Sequence, residues 1–154
     1  MFMHYRFDTL GGANHGWLNA KHHFSFASYH DPEKMCFGEL MVINDDIIQP
    51  HTGFDTHPHR DMEIITYVRR GAITHKDSTG NEGRTTAGNV QVMSAGTGIS
   101  HSEFNHEDEE TNIYQIWIMP RSKGITPCWD TAEFPDTPVT NTLPLLVSGD
   151  GTAP

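Results

Sequence analysis

The sequence predicts an all-β protein, an antiparallel sandwich or barrel. Three observations point there. Short segments of alternating apolar and polar residues recur at near-regular intervals with turn residues between them. No segment carries a helical apolar stripe. The 154 residues include 14 glycines and 9 prolines, a turn-rich composition.

Each element follows from local pattern. Gly12 to Tyr29 mixes Trp17, Phe24, Phe26 and Tyr29 with polar residues, and Asp31-Pro32 breaks it. Phe37 to Ile48 reads as a strand ending in a turn at Asp45-Asp46. Met62 to Arg70 is clearer, with Ile64, Thr66 and Val68 on one side and Ile65 and Tyr67 on the other. Gly71 ends it and Ala72 to Lys76 resumes the extended pattern. Asp77-Ser78-Thr79-Gly80-Asn81 is a strong turn, so these segments form hairpins. Val90 to Met93 is a short strand, and Ala95-Gly96-Thr97-Gly98 turns the chain before His101. Asn112 to Met119 sets Tyr114, Ile116 and Ile118 against Ile113 and Trp117, and Pro120 closes it. In the Pro-, Thr- and Gly-rich tail, Pro135 to Pro154, only Leu143 to Val147 reads as a strand. The acidic run Glu107 to Glu110 reads as a solvated loop.

The bulk properties fit one domain with a packed core, at 36% hydrophobic and 10% aromatic. A formal charge of −10 argues against nucleic acid and against anionic membrane surfaces. No run of 18 apolar residues exists, and Met1 to Leu10 lacks an apolar signal core. A cytoplasmic protein is expected. Cys36 and Cys128 are the only cysteines, read as free thiols, with a single bridge left open.

The chemistry lies in two spaced pairs, His57 with His59 and His101 with Glu103. Residues two apart on a strand share a face, so two facing strands would bring four ligands to one point. Three imidazoles and a carboxylate suit a divalent transition metal and leave coordination positions open. Glu63 and Asp61 share the parity of His57 and His59, so parity alone does not choose the carboxylate. With eleven histidines, some pairing arises by chance. His22 and His23 would face opposite ways, and His4, His15, His30, His51, His75 and His106 read as isolated surface or core residues.

The stretches Thr56-His57-Pro58-His59-Arg60-Asp61-Met62-Glu63 and Ser94-Ala95-Gly96-Thr97-Gly98-Ile99-Ser100-His101-Ser102-Glu103 closely resemble the pirin family of cupins. So do His15-Gly16-Trp17-Leu18, Phe24-Ser25-Phe26-Ala27, Val42-Ile43-Asn44-Asp45-Asp46 and Tyr114-Gln115-Ile116-Trp117-Ile118. The likeness runs over about residues 10 to 125 and is strongest to bacterial quercetin 2,3-dioxygenase-like members. It implies a cupin fold, a small jelly-roll-like β-barrel with a metal in its mouth. It also implies the ligand set His57, His59, His101 and Glu103, leaving Glu63 to the pattern of other cupins. The generic cupin spacing is imperfect, since only three residues separate Gly53 from His57.

The same likeness implies one divalent metal, with iron foremost and nickel, manganese, copper, cobalt or zinc as alternatives. It implies an oxidoreductase that opens a flavonol ring with dioxygen and releases carbon monoxide, Glu103 taking the hydroxyl proton. Met62, Met93 and Phe104 are candidates to line an aromatic pocket or to fill the core. The alternative is a redox-responsive regulatory or protein-binding module. Pirins carry two cupin domains, so 1–138 reads as the N-terminal one. Residues 139–154 read as a tail that resembles the start of the second, opening at Leu143 to Gly151. A barrel without its partner exposes apolar surface, which predicts a homodimer.

Overall fold

Alternation of buried and exposed residues sets the strands, and turn residues set their ends. The structure, a computed structural model, describes residues 4–135 and 140–149. A short 3-10 turn at Phe7–Thr9 precedes eleven strands: β1 (Gly11–Asn14), β2 (Leu18–His22), β3 (Leu40–Ile48), β4 (Thr52–His59), β5 (Glu63–Arg70), β6 (Ala72–Asp77), β7 (Glu82–Thr86), β8 (Val90–Ser94), β9 (Ile99–Asn105), β10 (Thr111–Ile118) and β11 (Cys128–Ala132). They form a seven-stranded sheet, β1-β2-β3-β10-β5-β8-β11, and a four-stranded sheet, β4-β9-β6-β7. Every pairing between them is antiparallel. This is the expected all-β cupin architecture. Among the described residues no helix is long and apolar enough to cross a membrane.

Register sorts the inner face of the large sheet into layers. Val68 lies opposite Ile113, Thr66 opposite both Gln115 and Gln91, and Ile64 opposite both Trp117 and Met93. The two outer layers are apolar. Leu18, Ala20, Ile48, Val68, Ile73 and Ile113 form one cluster, and Ile64, Met93, Ala95 and Ile99 form the other. The layer between them is polar yet buried: Thr66, Gln91, Gln115, Asn44 and, from the small sheet, His75, His101 and Glu103. Burying that many polar groups is unfavourable unless they bond one another. That layer is where chemistry is to be sought.

The hairpin at Asp77–Asn81 forms as expected. Asp77 Oδ1 accepts from the Thr79 and Asn81 amides at 2.8 and 3.1 Å. Three expectations need correction. No turn forms at Asp45-Asp46; β3 runs through both to Ile48. An ion pair to Arg69 at 2.6 Å and the Asn112 amide at 2.9 Å hold Asp45 within the sheet. Leu143 to Val147 forms no strand with any of the described residues, and Leu143 and Leu145 are exposed. The expected domain boundary at 138/139 and the end of Leu143 to Gly151 lie outside the described residues. Phe37 to Glu39 also falls short of β3, which starts at Leu40. Cys36 and Cys128 are both free and exposed.

Candidate metal centre

A bulge in β4 creates the site. Phe54 lies opposite Glu103 and His57 opposite His101, so three steps on β4 match two on β9. The extra residue reverses side-chain parity. Phe54 faces inward before the bulge and packs edge-on against Trp17, with ring centroids 5.1 Å apart. His57 and His59 face inward after it. Gly53 lets β4 pass this close, because a Cβ there would lie 2.3 Å from the Glu103 carbonyl oxygen.

Three imidazoles meet at the mouth. Ligand nitrogens of His57, His59 and His101 all lie within 4.8 Å of one another. The ring centroids are 4.8 Å apart for His57–His59, 4.6 Å for His57–His101 and 4.9 Å for His59–His101. His57 Nδ1 donates to the carbonyl of Asp55, inside the bulge, at 2.6 Å. That bond leaves Nε2 with its lone pair. His101 Nε2 is buried and has no hydrogen-bond partner. Burial pushes the His101 imidazole down to about 3, aided by His57, His59 and His75. Burial likewise pushes His59 down to about 4, with His57 adding to it. These rings are neutral at pH 7, the form that ligates. An orphaned nitrogen among neutral imidazoles fits a divalent transition metal.

Glu103 shares the buried face of β9 but is not one of that cluster. Its Oε1 accepts from Thr66 Oγ1 at 3.0 Å and Gln91 Nε2 at 2.5 Å, and its Oε2 from Gln115 Nε2 at 2.7 Å. A carboxylate offers about four acceptor positions, so one remains, on Oε2. The glutamines cannot easily turn over. Gln91 Oε1 accepts from Thr85 at 3.3 Å, and Gln115 Oε1 from the indole N–H of Trp117 at 3.2 Å. Indole is only a donor, so it orients the Gln115 amide with its NH2 toward Glu103. Burial raises Glu103 to about 7 against the downward pull of the three donors. Asp46, buried nearby with Oδ1 unpartnered, is also raised to about 7, by burial first and then by Glu103 and Asp45.

The other carboxylates of matching parity go elsewhere. Asp61 adopts φ 48°, interrupting the extended chain between β4 and β5, and its Oδ1 accepts from the Gly124 amide. That interruption turns Glu63 to the outer face, where it accepts from Ser94 Oγ and lines an outer cavity with Ile65 and Val92. Met93 and Met62 belong to an apolar cluster, and Phe104 packs against His106 on the face of β9 opposite His101. The aromatic wall comes instead from Trp117, edge-on to His59 at 5.0 Å, and from Phe26, edge-on to Trp117 at 5.4 Å. The sequence reading quoted Phe26, Gln115 and Trp117 within family motifs and Thr66 within a strand but gave none of them, nor Gln91, a place at the site, and it set His75 aside as isolated.

Comparison with known proteins follows the same lines. The pirin family model matches residues 5–118. A pirin-like protein of Caulobacter vibrioides is 62% identical over 143 residues, covering 93% of this chain and 62% of its own length. A quercetin 2,3-dioxygenase of Escherichia coli is 56% identical over 125 residues, covering 80% of this chain and 54% of its own. The crystal structure of the E. coli bacterial pirin YhhW in complex with nickel(II) superimposes with a TM-score of 0.82 at 53% identity. That match covers 84% of this chain and 57% of YhhW. The chain thus spans about three fifths of the relatives it matches. With motif, fold and the three-imidazole mouth agreeing, the chain belongs to the pirin family of cupins.

Proposed function

We propose that the protein is a metal-dependent oxidoreductase of the quercetin 2,3-dioxygenase type, with His57, His59, His101 and Glu103 as ligands. The observation that carries the reading is the buried His101 Nε2, which faces two other imidazoles and bonds to nothing. The name of the E. coli relative supports the reaction class, and the nickel complex of YhhW supports a divalent metal. Iron is the expected metal, with nickel, manganese, copper, cobalt and zinc as alternatives that imidazole and carboxylate donors also accept.

When bound, such a metal supplies Lewis acidity that lowers the pKa of a flavonol hydroxyl and the redox capacity to engage dioxygen. The chain supplies the rest. The Asp55 carbonyl and the bulge hold His57 in the ligating tautomer. Glu103 offers its remaining Oε2 position, either as fourth ligand or to hold the substrate's proton. Its pKa near 7 suits the second role. Trp117 and Phe26 give a planar aromatic substrate an apolar wall beside His59.

One observation favours a second reading, a metal-containing regulatory or binding module: three donors hold Glu103 apart from the imidazole cluster. The test is to load the protein with iron, nickel, manganese or copper and follow quercetin absorbance with oxygen uptake. Turnover that vanishes in His57→Ala supports the enzyme. Metal binding without turnover under every loading supports the module.

A further inference from the structure

We propose that Asp77 and His75 are positioning residues, joined in a hydrogen-bonded chain that holds His101 with its Nε2 lone pair turned into the imidazole cluster. The inference rests on the reading that this cluster holds a metal. His75 and Asp77 share the inner face of β6, next to β9, where Asp77 lies opposite His101 and His75 opposite Glu103. His75 Nε2 lies 3.0 Å from Asp77 Oδ2, and neither side chain is exposed to solvent. His75 Nδ1 lies 3.3 Å from His101 Nδ1.

Counting protons fixes the direction of the chain. Asp77 accepts from the Thr79 amide and hydroxyl, the Asn81 amide and the Asn81 side chain, at 2.7 to 3.1 Å. Surrounded by donors, it is a carboxylate and can only accept. His75 Nε2 therefore carries the hydrogen. His101 Nε2 meets no acceptor among the described residues, so the hydrogen of that ring belongs on Nδ1, where the His75 Nδ1 lone pair accepts it. Two Nδ1 atoms can bond only if one is protonated, so the proton sits on His101 Nδ1. His101 Nε2 is then the bare nitrogen, the same atom that has no partner among the described residues. The opposite tautomer would bury an N–H without an acceptor among imidazoles, a costly arrangement.

Two further contacts fix the ring. Trp129 of β11 stacks on His75 with centroids 4.7 Å apart and planes within 10°. Gly83 of β7 makes room, since a Cβ there would lie 2.4 Å from the Trp129 ring. The chain thus runs from the β6–β7 turn, through the sheet, to the proposed ligand. Partners of this kind orient a ligating imidazole and raise its basicity.

The test uses the whole chain, labelled with 15N and freed of metal by a chelator. Long-range proton–nitrogen correlation spectra of the wild type are expected to show His101 protonated at Nδ1 and bare at Nε2, and His75 the reverse. Nickel(II) affinity is then measured by chelator competition. His75→Phe keeps a ring against Trp129 but removes the acceptor, and should weaken nickel about 10–100-fold. His75→Gln offers one donor and one acceptor and should recover most of that loss. A wild-type His101 protonated at Nε2 overturns the inference, as does a folded His75→Phe that binds nickel like the wild type. If His75→Phe fails to fold, the wild-type tautomers still decide. A wild type that binds no nickel overturns the metal reading, while the spectra judge the hydrogen-bonded chain independently.

Discussion

The two sheets divide the work at the centre of the barrel. The four-stranded sheet presents His57, His59, His101, Glu103, His75 and Asp77 on one inner face, nearly all of the titratable chemistry. The seven-stranded sheet answers with Thr66, Gln91 and Gln115, donors that aim at one carboxylate. The small sheet carries a buried ring nitrogen that lacks a partner, and the large sheet carries three partners for a single carboxylate. His101 and Glu103 show the contrast two residues apart on one strand. His101 ends in an orphaned nitrogen, whereas Glu103 accepts three hydrogen bonds. An unmet lone pair on a buried imidazole that faces two others is what a metal would satisfy. A carboxylate that accepts three hydrogen bonds from the facing sheet ties the two sheets together at mid-depth.

That contrast can be broken at its strongest point first. His101→Ala should lower nickel affinity by at least about 100-fold, more than loss of an orienting partner would. Competition against a chelator reads this, and an unchanged affinity would place the metal elsewhere. Glu103→Gln should also act on the stability of the metal-free protein. Its NH2 would face donors whose own amides are held by Thr85 and Trp117. Leaving a buried donor unmet costs about 1–3 kcal/mol, readable as a lower urea midpoint of the metal-free protein.

Asp46 sharpens the picture through pH. Its folded pKa of about 7 lies above its unfolded value of 3.8. The fold therefore holds the extra proton between those values. The stability this group contributes is full below 3.8 and is lost as pH rises toward 7. Asp46→Asn cannot ionise, so its stability relative to the wild type should improve on going from about pH 5 to about pH 8. Melting of the two metal-free proteins at both pH values checks this, and a difference independent of pH would refute it. A change confined to packing is expected at Gly83. Gly83→Ala should displace Trp129 and lower stability by about 1–3 kcal/mol, as overpacking commonly does. Near-ultraviolet circular dichroism would show the loss of the fixed indole.

Much of the frame was legible because strand alternation has a period of two. Ile64, Thr66 and Val68 face inward as their spacing indicates, and Asp77–Asn81 turns the chain as its side chains require. The convergence of His57, His59 and His101 followed from parity on facing strands. What parity could not supply was its own interruption. The β4 bulge and the left-handed Asp61 each reset which side chains face inward, and neither shows in an alternation of period two. Thus Glu63, in phase on paper, lies outside. The strands Gly11–Asn14, Glu82–Thr86 and Cys128–Ala132 passed unnoticed because edge strands with few apolar residues leave little pattern. Gln91 and Gln115 read as ordinary polar positions until register set both on Glu103. His75 and Asp77 did carry a signal, the same two-residue spacing as the ligand pairs. It was passed over because His75 was weighed alone.

X-ray absorption at the nickel edge of the loaded chain is the most direct test, because it counts imidazoles around the ion. Three histidine rings with light oxygen or nitrogen donors completing the shell would agree with convergence of His57, His59 and His101. One ring or none would contradict it.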